Sequence, residues 1–263
     1  MYSYQHRYHA GNFADLHKHL ILIAILKALQ QKNTAFCVLD AFAGEGIYDL
    51  NCQESQKNQE YLNGFEKIRK SLEPNYLIQE LLTIAKKYQT ADHPFIYPGS
   101  PAIIHANLRT QDQAIFIENH PQAYTQLKKH FSNQQQIHIH KRDGIEAINA
   151  LIPFKTKRGL IFIDPSYEVK TEYNIICSLV KKAYLKFPQG IYMIWYPLLQ
   201  ENKHVSLLTD LQNTFNNNIW QHELVPIKNN TEGLYGSGII IINPPWQFNT
   251  IVQDSLRLLL RLF

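Results

Sequence analysis

The chain has 263 residues, a formal net charge of +4, and a composition that is 45% hydrophobic, 12% aromatic and 18% charged. This length and hydrophobic content allow a full buried core, so they exclude an intrinsically disordered chain. They predict one large α/β domain, or one domain with an insertion. The mild excess of Lys and Arg permits a nucleic-acid partner without requiring one.

Three cysteines, Cys37, Cys52 and Cys177, lie far apart without a CxxC pair, so neither a disulfide framework nor a zinc site is indicated. The first residues lack the apolar core of a signal peptide. The apolar run at 20–26 ends at Lys27, far short of the roughly 20 residues that a membrane span needs. We therefore expect a cytoplasmic protein that has no membrane partner.

The first predicted element is a helix over residues 13–31, where Asn12 is a suitable N-cap and the apolar positions cover a broad face. The first predicted strand lies within "AFCVLDAFAGEG" (35–46). Its apolar run ends at Asp40 and opens into a loop with two glycines, as a buried parallel strand does. Residues 51–97 are polar, have a helical pattern broken by a proline, and contain no pattern typical of a buried strand.

Strands and helices alternate from there onward. The predicted strands are 113–119, 136–144, 159–165 and 190–197, with segments of 14 to 24 residues between them. This rhythm indicates βαβ units and a parallel sheet covered on both faces. Further along, "HELVPIK" and "GLYGSGIIIINPPW" flank a short turn-rich stretch, "NNTEG" (229–233), which predicts two adjacent antiparallel strands at one side of the sheet.

Acidic residues lie at the carboxyl ends of four of the predicted strands: Asp40, Glu118, Asp143 and Asp164. Ligands of open parallel sheets lie outside the carboxyl ends of the strands, and a buried carboxylate is costly without a partner. A ligand with hydroxyls, amines and a positive charge would satisfy all four. The glycine loop lacks both the Lys-Ser/Thr of a P-loop and the third glycine of a dinucleotide fingerprint. S-adenosylmethionine, which has adenosine and a sulfonium but no phosphate, therefore fits better than NAD.

The tetrapeptide Asp164-Pro165-Ser166-Tyr167 ends one predicted strand. Methyl transfer to an amine conjugated with a ring requires that the nitrogen lone pair point at the methyl donor. A carboxylate and a backbone carbonyl can accept the two N–H hydrogens, while an aromatic ring stacks on the base. Asp164, the carbonyl of Pro165 and Tyr167 are therefore the candidate catalytic residues.

The order of glycine loop, Glu, Asp and Asp-Pro-x-Tyr resembles class I S-adenosylmethionine-dependent methyltransferases that act on amines. More specifically, the chain resembles the bacterial ribosomal RNA large subunit methyltransferase J family, which modifies the exocyclic N6 amine of one adenine in 23S rRNA. The matching segments span nearly the whole chain in the family's order: "YQHRYHAGNFADLHKH" (4–19), "EYLNG" (60–64), "YPGSP" (97–101), "RGLIFIDPSYE" (158–168), "WYP" (195–197) and "GSGIIIINPPW" (236–246).

The resemblance implies a Rossmann-like class I methyltransferase fold, with a seven-stranded, mostly parallel sheet whose last strand is antiparallel, plus a small helical insertion. Residues 1–50 and 98–263 would form the methyltransferase domain. Residues 51–97 would form the inserted helical subdomain, which would face the RNA. The implied partner is an adenine-containing segment of 23S rRNA; no protein partner is evident, and we expect a monomer.

Position by position, the resemblance implies that six residues contact the cofactor: His19, Ser100, Glu118, Asp143, Gly144 and Asp164. Asp164 would also accept hydrogen from the target amine, and Tyr4 and Lys18 in the matched tail would contact the RNA. Phe42 also belongs to the cofactor site, where the family usually has His, so a polar contact is lost and only packing can replace it. Ser166 stands where the family usually has a second Pro, which loosens the loop.

A second stretch, Asn243-Pro244-Pro245-Trp246, is closer in letters to the amino-methyltransferase motif than Asp164 to Tyr167 is. In the class I arrangement the last strand runs antiparallel to its neighbours, so its carboxyl end faces away from the cofactor. We therefore expect these residues to close that strand, with Trp246 packed in the core.

Several alternatives remain open. His17 and His19 lie two apart on a predicted helix and point to different faces, so a shared metal ion is not expected. Asp15 and His19, four apart, share a face and could pair. Two other functions are an adenine N6-methyltransferase acting on DNA, which shares the chemistry, and a non-catalytic rRNA-binding protein, an interpretation that Phe42 and Ser166 motivate.

Overall fold

A computed structural model of the chain describes residues 5–169, 171–226 and 233–263. The strands are β1 (Cys37–Asp40), β2 (Ile47–Asp49), β3 (Ile96–Pro98), β4 (Gln113–Ile117), β5 (Ile137–His140), β6 (Gly159–Ile163), β7 (Ile191–Leu199), β8 (Ile219–Leu224) and β9 (Leu234–Ile242). The helices are α1 (Phe13–Gln30), α2 (Gln53–Asn58), α3 (Phe65–Lys70), α4 (Tyr76–Lys87), α5 (Ser100–Ala106), α6 (Pro121–Phe131), α7 (Gly144–Leu151), α8 (Glu172–Lys186), α9 (His204–Phe215) and α10 (Phe248–Leu262).

Seven strands form one sheet in the order β5-β4-β1-β6-β7-β9-β8. The pairs from β5 to β7 are all parallel, whereas β9 runs antiparallel to both β7 and β8. This confirms the predicted Rossmann-like architecture, including the antiparallel last strand. Of the predicted turn at 229–233, only Gly233 lies within the described residues.

The alternation of side chains along β6 shows how the sheet separates two cores. All five residues of the strand are buried. Leu160 and Phe162 join the core beneath α1, α4, α5 and α10, while Ile161 and Ile163 join the core beneath α7, α8 and α9. Because neighbouring residues of a strand point to opposite faces, a strand covered on both faces is a continuous apolar run. The chain therefore forms three layers around a parallel sheet.

Helix α1 is buried on all sides. Asn12 caps it as predicted, and the Asn12 side chain accepts a hydrogen bond from the backbone N–H of Asp15 at 2.9 Å. Every residue from 14 to 26 is buried, including one aspartate, one lysine and two histidines. Buried polar groups require partners, so these four side chains must be satisfied inside the protein.

The small antiparallel pair of β2 and β3 was not predicted. Each strand has only three residues, too few for a periodic pattern. Between them, the helices of residues 51–97 turn an apolar face toward α1, and Leu77, Ile78 and Leu81 of α4 belong to the core beneath that helix.

The turn after β9 lies near the amino ends of the parallel strands, away from their carboxyl ends. Asn243 adopts a positive φ of 56°, and its Nδ2 donates to the carbonyls of Pro188 at 2.7 Å and Gly190 at 2.8 Å. Gly190 precedes β7, so the predicted orientation of this turn is confirmed. The expectation that Trp246 packs in the core is wrong: the residue is 84% exposed, because the Pro-Pro turn directs it outward ahead of α10.

None of the helices within the described ranges is long and apolar enough to cross a membrane.

Candidate active site

A cavity of about 460 Å³ opens at the carboxyl ends of the parallel strands. Its volume falls within the range of small-molecule sites. Nine of the residues predicted for the site line it: Lys18, His19, Phe42, Ser100, Glu118, Asp143, Gly144, Asp164 and Pro165. Tyr4 lies outside the described residues, and Tyr167 is not on the cavity wall.

Glu118 ties the glycine loop to the end of β4. Its Oε2 accepts a hydrogen bond from the backbone N–H of Gly44 at 2.8 Å, and its Oε1 accepts one from the N–H of His120 at 2.6 Å. Gly44 has a φ of +62°, which only glycine adopts at no steric cost. Burial raises the pKa of Glu118, although these backbone donors oppose the shift. The carboxylate thus fixes the loop and still faces the cavity.

Gly144 lets the start of α7 approach the glycine loop. A Cβ atom at this position would lie 2.2 Å from the carbonyl oxygen of Ala41 and 2.9 Å from the ring of Phe42. Asp143 caps the helix, its Oδ1 accepting the N–H of Glu146 at 2.9 Å. Phe42 therefore packs against the backbone of Gly144, and the Asp143 carboxyl is held at the cavity wall beside them.

A buried chain of charges crosses the cavity floor. The Lys18 ammonium lies 2.6 Å from Asp164 Oδ2 and 2.8 Å from Asp15 Oδ1. His6 Nε2 lies 3.0 Å from the other oxygen of Asp15. Burial alone would raise the pKa of Asp15, but His6 and Lys18 hold it well below its usual range. Asp15 and Lys18 thus join the tail before α1, the helix itself and the end of β6 through polar contacts.

His19 faces the same cavity from α1 but does not form the suggested hydrogen bond with Asp15. Its Nδ1 lies 2.6 Å from the hydroxyl of Tyr97. Burial lowers the pKa of His19 to about 3, so the ring is neutral near pH 7. Burial raises the pKa of Tyr97, so its hydroxyl keeps its proton and can donate to Nδ1. His19 Nε2 then carries the ring proton, as a donor.

Tyr167 is placed differently from the prediction. It is 7% exposed, and its ring centroid lies 4.4 Å from that of Tyr173 and 5.9 Å from that of Trp195. Its hydroxyl donates to the backbone carbonyl of Trp195 at 2.8 Å. With a φ of +53°, Tyr167 turns beneath the loop rather than toward the cavity. The ring that faces the cavity here belongs to Trp195.

Two residues at the site were missed. Trp195 lies in a segment that resembles the family, but the sequence alone gives it no role. Glu172 begins α8 and lines the cavity; burial raises its pKa, and its Oε2 has no hydrogen-bond partner among the described residues. A carboxylate in the first turn of a helix usually interacts with the helix dipole. The position of Glu172 in the sequence therefore gave no sign that its side chain faces a cavity.

Asp40 ends β1 behind the cavity wall and is fully buried. Its Oδ1 accepts a hydrogen bond from the N–H of Phe42 at 3.3 Å, while Oδ2 has no partner in the part of the chain that the structure describes. Burial raises the pKa of Asp40 to about 7, although the Ser100 hydroxyl opposes the shift; the charge of Asp164 makes a smaller contribution in the same direction as burial. All four acidic residues therefore lie at the carboxyl ends of the parallel strands, but Asp40 lies beneath the cavity wall and does not face the cavity.

Within the described ranges, His, Cys, Asp and Glu side chains form no group of three or more that could hold a metal ion.

Comparison with known proteins identifies the family. The family model described as "Ribosomal RNA large subunit methyltransferase D, RlmJ" matches residues 33–262. The chain belongs to this family. Ribosomal RNA large subunit methyltransferase J of Escherichia coli (strain K12) is 35% identical over 257 residues, which cover 97% of this chain and 92% of that protein. The protein of the same name from Haemophilus influenzae is 34% identical over 258 residues, with the same shares.

A solved structure shares the fold of this chain. The crystal structure of protein LPL1258 from Legionella pneumophila superposes with a TM-score of 0.89 at 35% sequence identity, covering 97% of this chain and 94% of that one. The family resemblance inferred from the sequence is thus confirmed, and membership in the RlmJ family makes the chain a methyltransferase.

Proposed function

We propose that this chain methylates the exocyclic N6 amine of an adenine in 23S rRNA, with S-adenosylmethionine as the methyl donor. The observation that carries the proposal is the position of Asp164. In a member of an rRNA methyltransferase family, its carboxylate lies in a cavity that also exposes the carboxylates of Glu118 and Asp143. Asp164 binds the reacting amine, whereas Glu118 and Asp143 bind the hydroxyls and the amine of an adenosine.

The residues of the cavity fit S-adenosylmethionine, which supplies an electrophilic methyl group on a sulfonium. Glu118 accepts hydrogen bonds from ribose hydroxyls, since a carboxylate has more acceptor sites than its two loop contacts occupy. Asp143 accepts from the adenine amine, and the close approach of Gly144 presents backbone to the ring edge. His19 Nε2 donates to the carboxylate end of the molecule, and Ser100 contacts it from the cavity wall.

Asp164 positions the target amine. It accepts one N–H hydrogen, and the carbonyl of Pro165 accepts the other, which directs the nitrogen lone pair out of the plane of these contacts. Lys18 keeps one carboxylate oxygen paired and thereby fixes the orientation of the group. Lys18 is only 6% exposed, so it holds Asp164 and does not bind a phosphate at the RNA surface.

RNA recognition completes the proposal. Residues 1–50 and 98–263 form the methyltransferase domain, and 51–97 form an inserted subdomain that faces the RNA. The exposed Lys86 and Lys87 at the end of α4 support this role, because cations bind the phosphate backbone. Tyr4 contacts the RNA from the tail. The enzyme acts as a monomer in the cytoplasm.

The test uses the purified chain with radiolabelled S-adenosylmethionine and either protein-free 23S rRNA or DNA. We expect label in the rRNA, and nucleoside analysis should recover it as N6-methyladenosine. Asp164→Ala should abolish transfer while circular dichroism shows that the variant is still folded at the assay temperature. Label in DNA alone, or full activity of Asp164→Ala, would reject the proposal. A chain that binds rRNA but not S-adenosylmethionine would instead support the non-catalytic alternative.

A further inference from the structure

The cavity has an apolar wall that the cofactor contacts do not use. Trp195, Pro197 and Leu199 alternate along one face of β7 and line the cavity, together with Leu234 at the start of β9. In the sheet order, β5, β4 and β1 lie on one side of β6, and β7 lies on the other. Glu118 and Asp143, the adenosine-binding carboxylates of the proposed function, lie at the first side. Asp164, at the end of β6, therefore separates a polar cofactor side from an apolar side.

Trp195 is the aromatic residue of that wall. It is only partly buried, whereas Met193 before it on the same face of the strand is fully buried. The Lys18 ammonium that binds Asp164 lies 5.5 Å from the centroid of the Trp195 ring. The ring thus lies beside the carboxylate that would hold the target amine, where a flipped base needs a surface to stack on.

We infer that Trp195, rather than Tyr167, is the surface on which the target adenine stacks; this inference rests on the proposed function. Tyr167 lies beneath Trp195 and donates to its backbone carbonyl, so in this arrangement it supports the tryptophan from behind.

A hydrogen-bonded chain fixes the plane of the Trp195 ring. The indole Nε1–H donates to the hydroxyl oxygen of Ser237 at 2.9 Å, and that oxygen also lies 2.9 Å from His17 Nδ1. His17 Nε2 lies 3.0 Å from His222 Nδ1, and the His222 ring stacks on Trp220 at an interplanar angle of 11°.

The direction of each bond follows from the indole, which can only donate. Ser237 accepts the indole N–H, so its own proton is available to His17 Nδ1. Burial, followed by the charge of His222, lowers the pKa of His17 well below its usual range, so the ring is neutral. His17 Nε2 then carries the proton and donates to His222. Ser237 and His17 are therefore positioning residues, which hold the indole in one orientation.

The experiment compares Trp195→Leu, Trp195→Phe and Trp246→Leu in the full-length chain, with protein-free 23S rRNA as substrate and saturating S-adenosylmethionine. Because base stacking on an aromatic ring contributes to binding, its loss in Trp195→Leu should lower kcat/KM for RNA by about 5- to 150-fold. Trp195→Phe keeps a ring and should retain most activity. Trp246 is an exposed tryptophan in the turn after β9, so Trp246→Leu should have the same activity as the unchanged chain.

Two further measurements separate substrate binding from folding. S-adenosylmethionine affinity by calorimetry should change little in Trp195→Leu, and circular dichroism should show that the variant, although less stable, is folded at the assay temperature. Unchanged RNA kinetics in that variant, or a loss that follows cofactor affinity alone, would overturn the role of Trp195. If the unmodified chain methylates no RNA, the proposed function itself fails, which is a distinguishable result.

Fluorescence gives a test without a disruptive change at the site. The chain has three tryptophans, so Trp220→Phe with Trp246→Phe leaves Trp195 alone to report. With the cofactor site saturated by S-adenosylhomocysteine, adenosine 5′-monophosphate should quench this emission; an unaltered spectrum would count against stacking on Trp195.

The positioning role of Ser237 has its own readout. Ser237→Ala should raise KM for RNA in the unmodified chain and have no further effect in the Trp195→Leu background, as expected for residues acting through one ring. Equal effects in both backgrounds would show that Ser237 acts elsewhere.

Discussion

Lys18 and Asp164 form a buried ion pair, with Nζ and Oδ2 2.6 Å apart and side chains only 7% and 13% exposed. The same ammonium contacts Asp15, so one cation neutralises two carboxylates from different parts of the chain. Removal of the cation would leave both carboxylates buried beside each other.

Lys18→Met should therefore destabilise the protein by about 3 kcal/mol or more, as the loss of one partner of a buried pair does. Lys27→Met on the same helix is the matched control. Lys27 pairs with Glu80 at 2.7 Å, but both side chains are more than a quarter exposed, so its removal should cost less than about 1 kcal/mol. Urea denaturation measures both values, and similar costs for the two variants would contradict the importance of the buried pair.

The stability of the protein should depend on the protonation of Asp40. Its pKa is raised from 3.8 to about 7 in the folded chain, so the folded state binds the proton more tightly than the unfolded state. The resulting stabilisation is full below pH 4 and is lost as the pH rises through 7. Between pH 5 and pH 8 this group should account for a loss of about 3 kcal/mol.

Asp40→Asn removes the titrating group while keeping the shape of the side chain. We expect the difference in unfolding free energy between pH 5 and pH 8 to become smaller in the variant by this amount. Denaturant titrations at the two pH values provide the measurement. The same pH difference in both proteins would show that Asp40 does not titrate in this range.

Gly144→Ala tests the close approach of α7 to the glycine loop. In an ordinary helix, alanine is more favourable than glycine by about 1 kcal/mol. Here the added carbon would lie 2.2 Å from a backbone oxygen, so we expect lower thermal stability and weaker S-adenosylmethionine binding. Asn149→Ala, an exposed change in the same helix, should alter neither. A more stable Gly144→Ala variant would mean that the helix can move away at no cost.

Tyr167→Phe tests the burial of that side chain. It deletes the hydroxyl that bonds to the Trp195 carbonyl, so an unfolding free energy lower by about 1 to 3 kcal/mol is expected, with little change in KM for RNA. In Tyr235→Phe, the lost hydroxyl contacts Asn202 at 3.4 Å near the surface, and stability should hardly change. Equal losses of stability in Tyr167→Phe and Tyr235→Phe would show that the buried hydroxyl bond of Tyr167 does not contribute.

Much of the fold could be predicted from the sequence because buried parallel strands have a strong local pattern. β1, β4, β6 and β7 are apolar runs, and β1, β4 and β6 are each closed by an acidic residue or followed by one, which also located the edge of the sheet that holds the site. The three-residue β2 and β3 have no such pattern, since their pairing depends on contacts between distant parts of the chain. Trp246 was misplaced because an aromatic residue after two prolines gives no information about which side of the turn is solvent.

The candidate site was harder to predict where residues act through tertiary contacts. The strand-end carboxylates share a position in the topology, so their convergence followed from the sheet alone. The orientation of Tyr167 depends on a positive φ and on the rings of Tyr173 and Trp195, which lie on other elements. Similarly, nothing in the local sequence shows that His17 contacts Ser237, which is 220 residues away.

The complete enclosure of α1 has a consequence for the order of events in folding. The helix that carries Lys18 and His19 to the cavity is also in contact with the cap residues, the sheet and α10, so it is the innermost helix of one layer. Because α1 is synthesised before β9 and α10, the helix can be fully enclosed only after those later elements have left the ribosome. The burial of Lys18 and His19 at the cavity therefore depends on elements that are distant in the sequence.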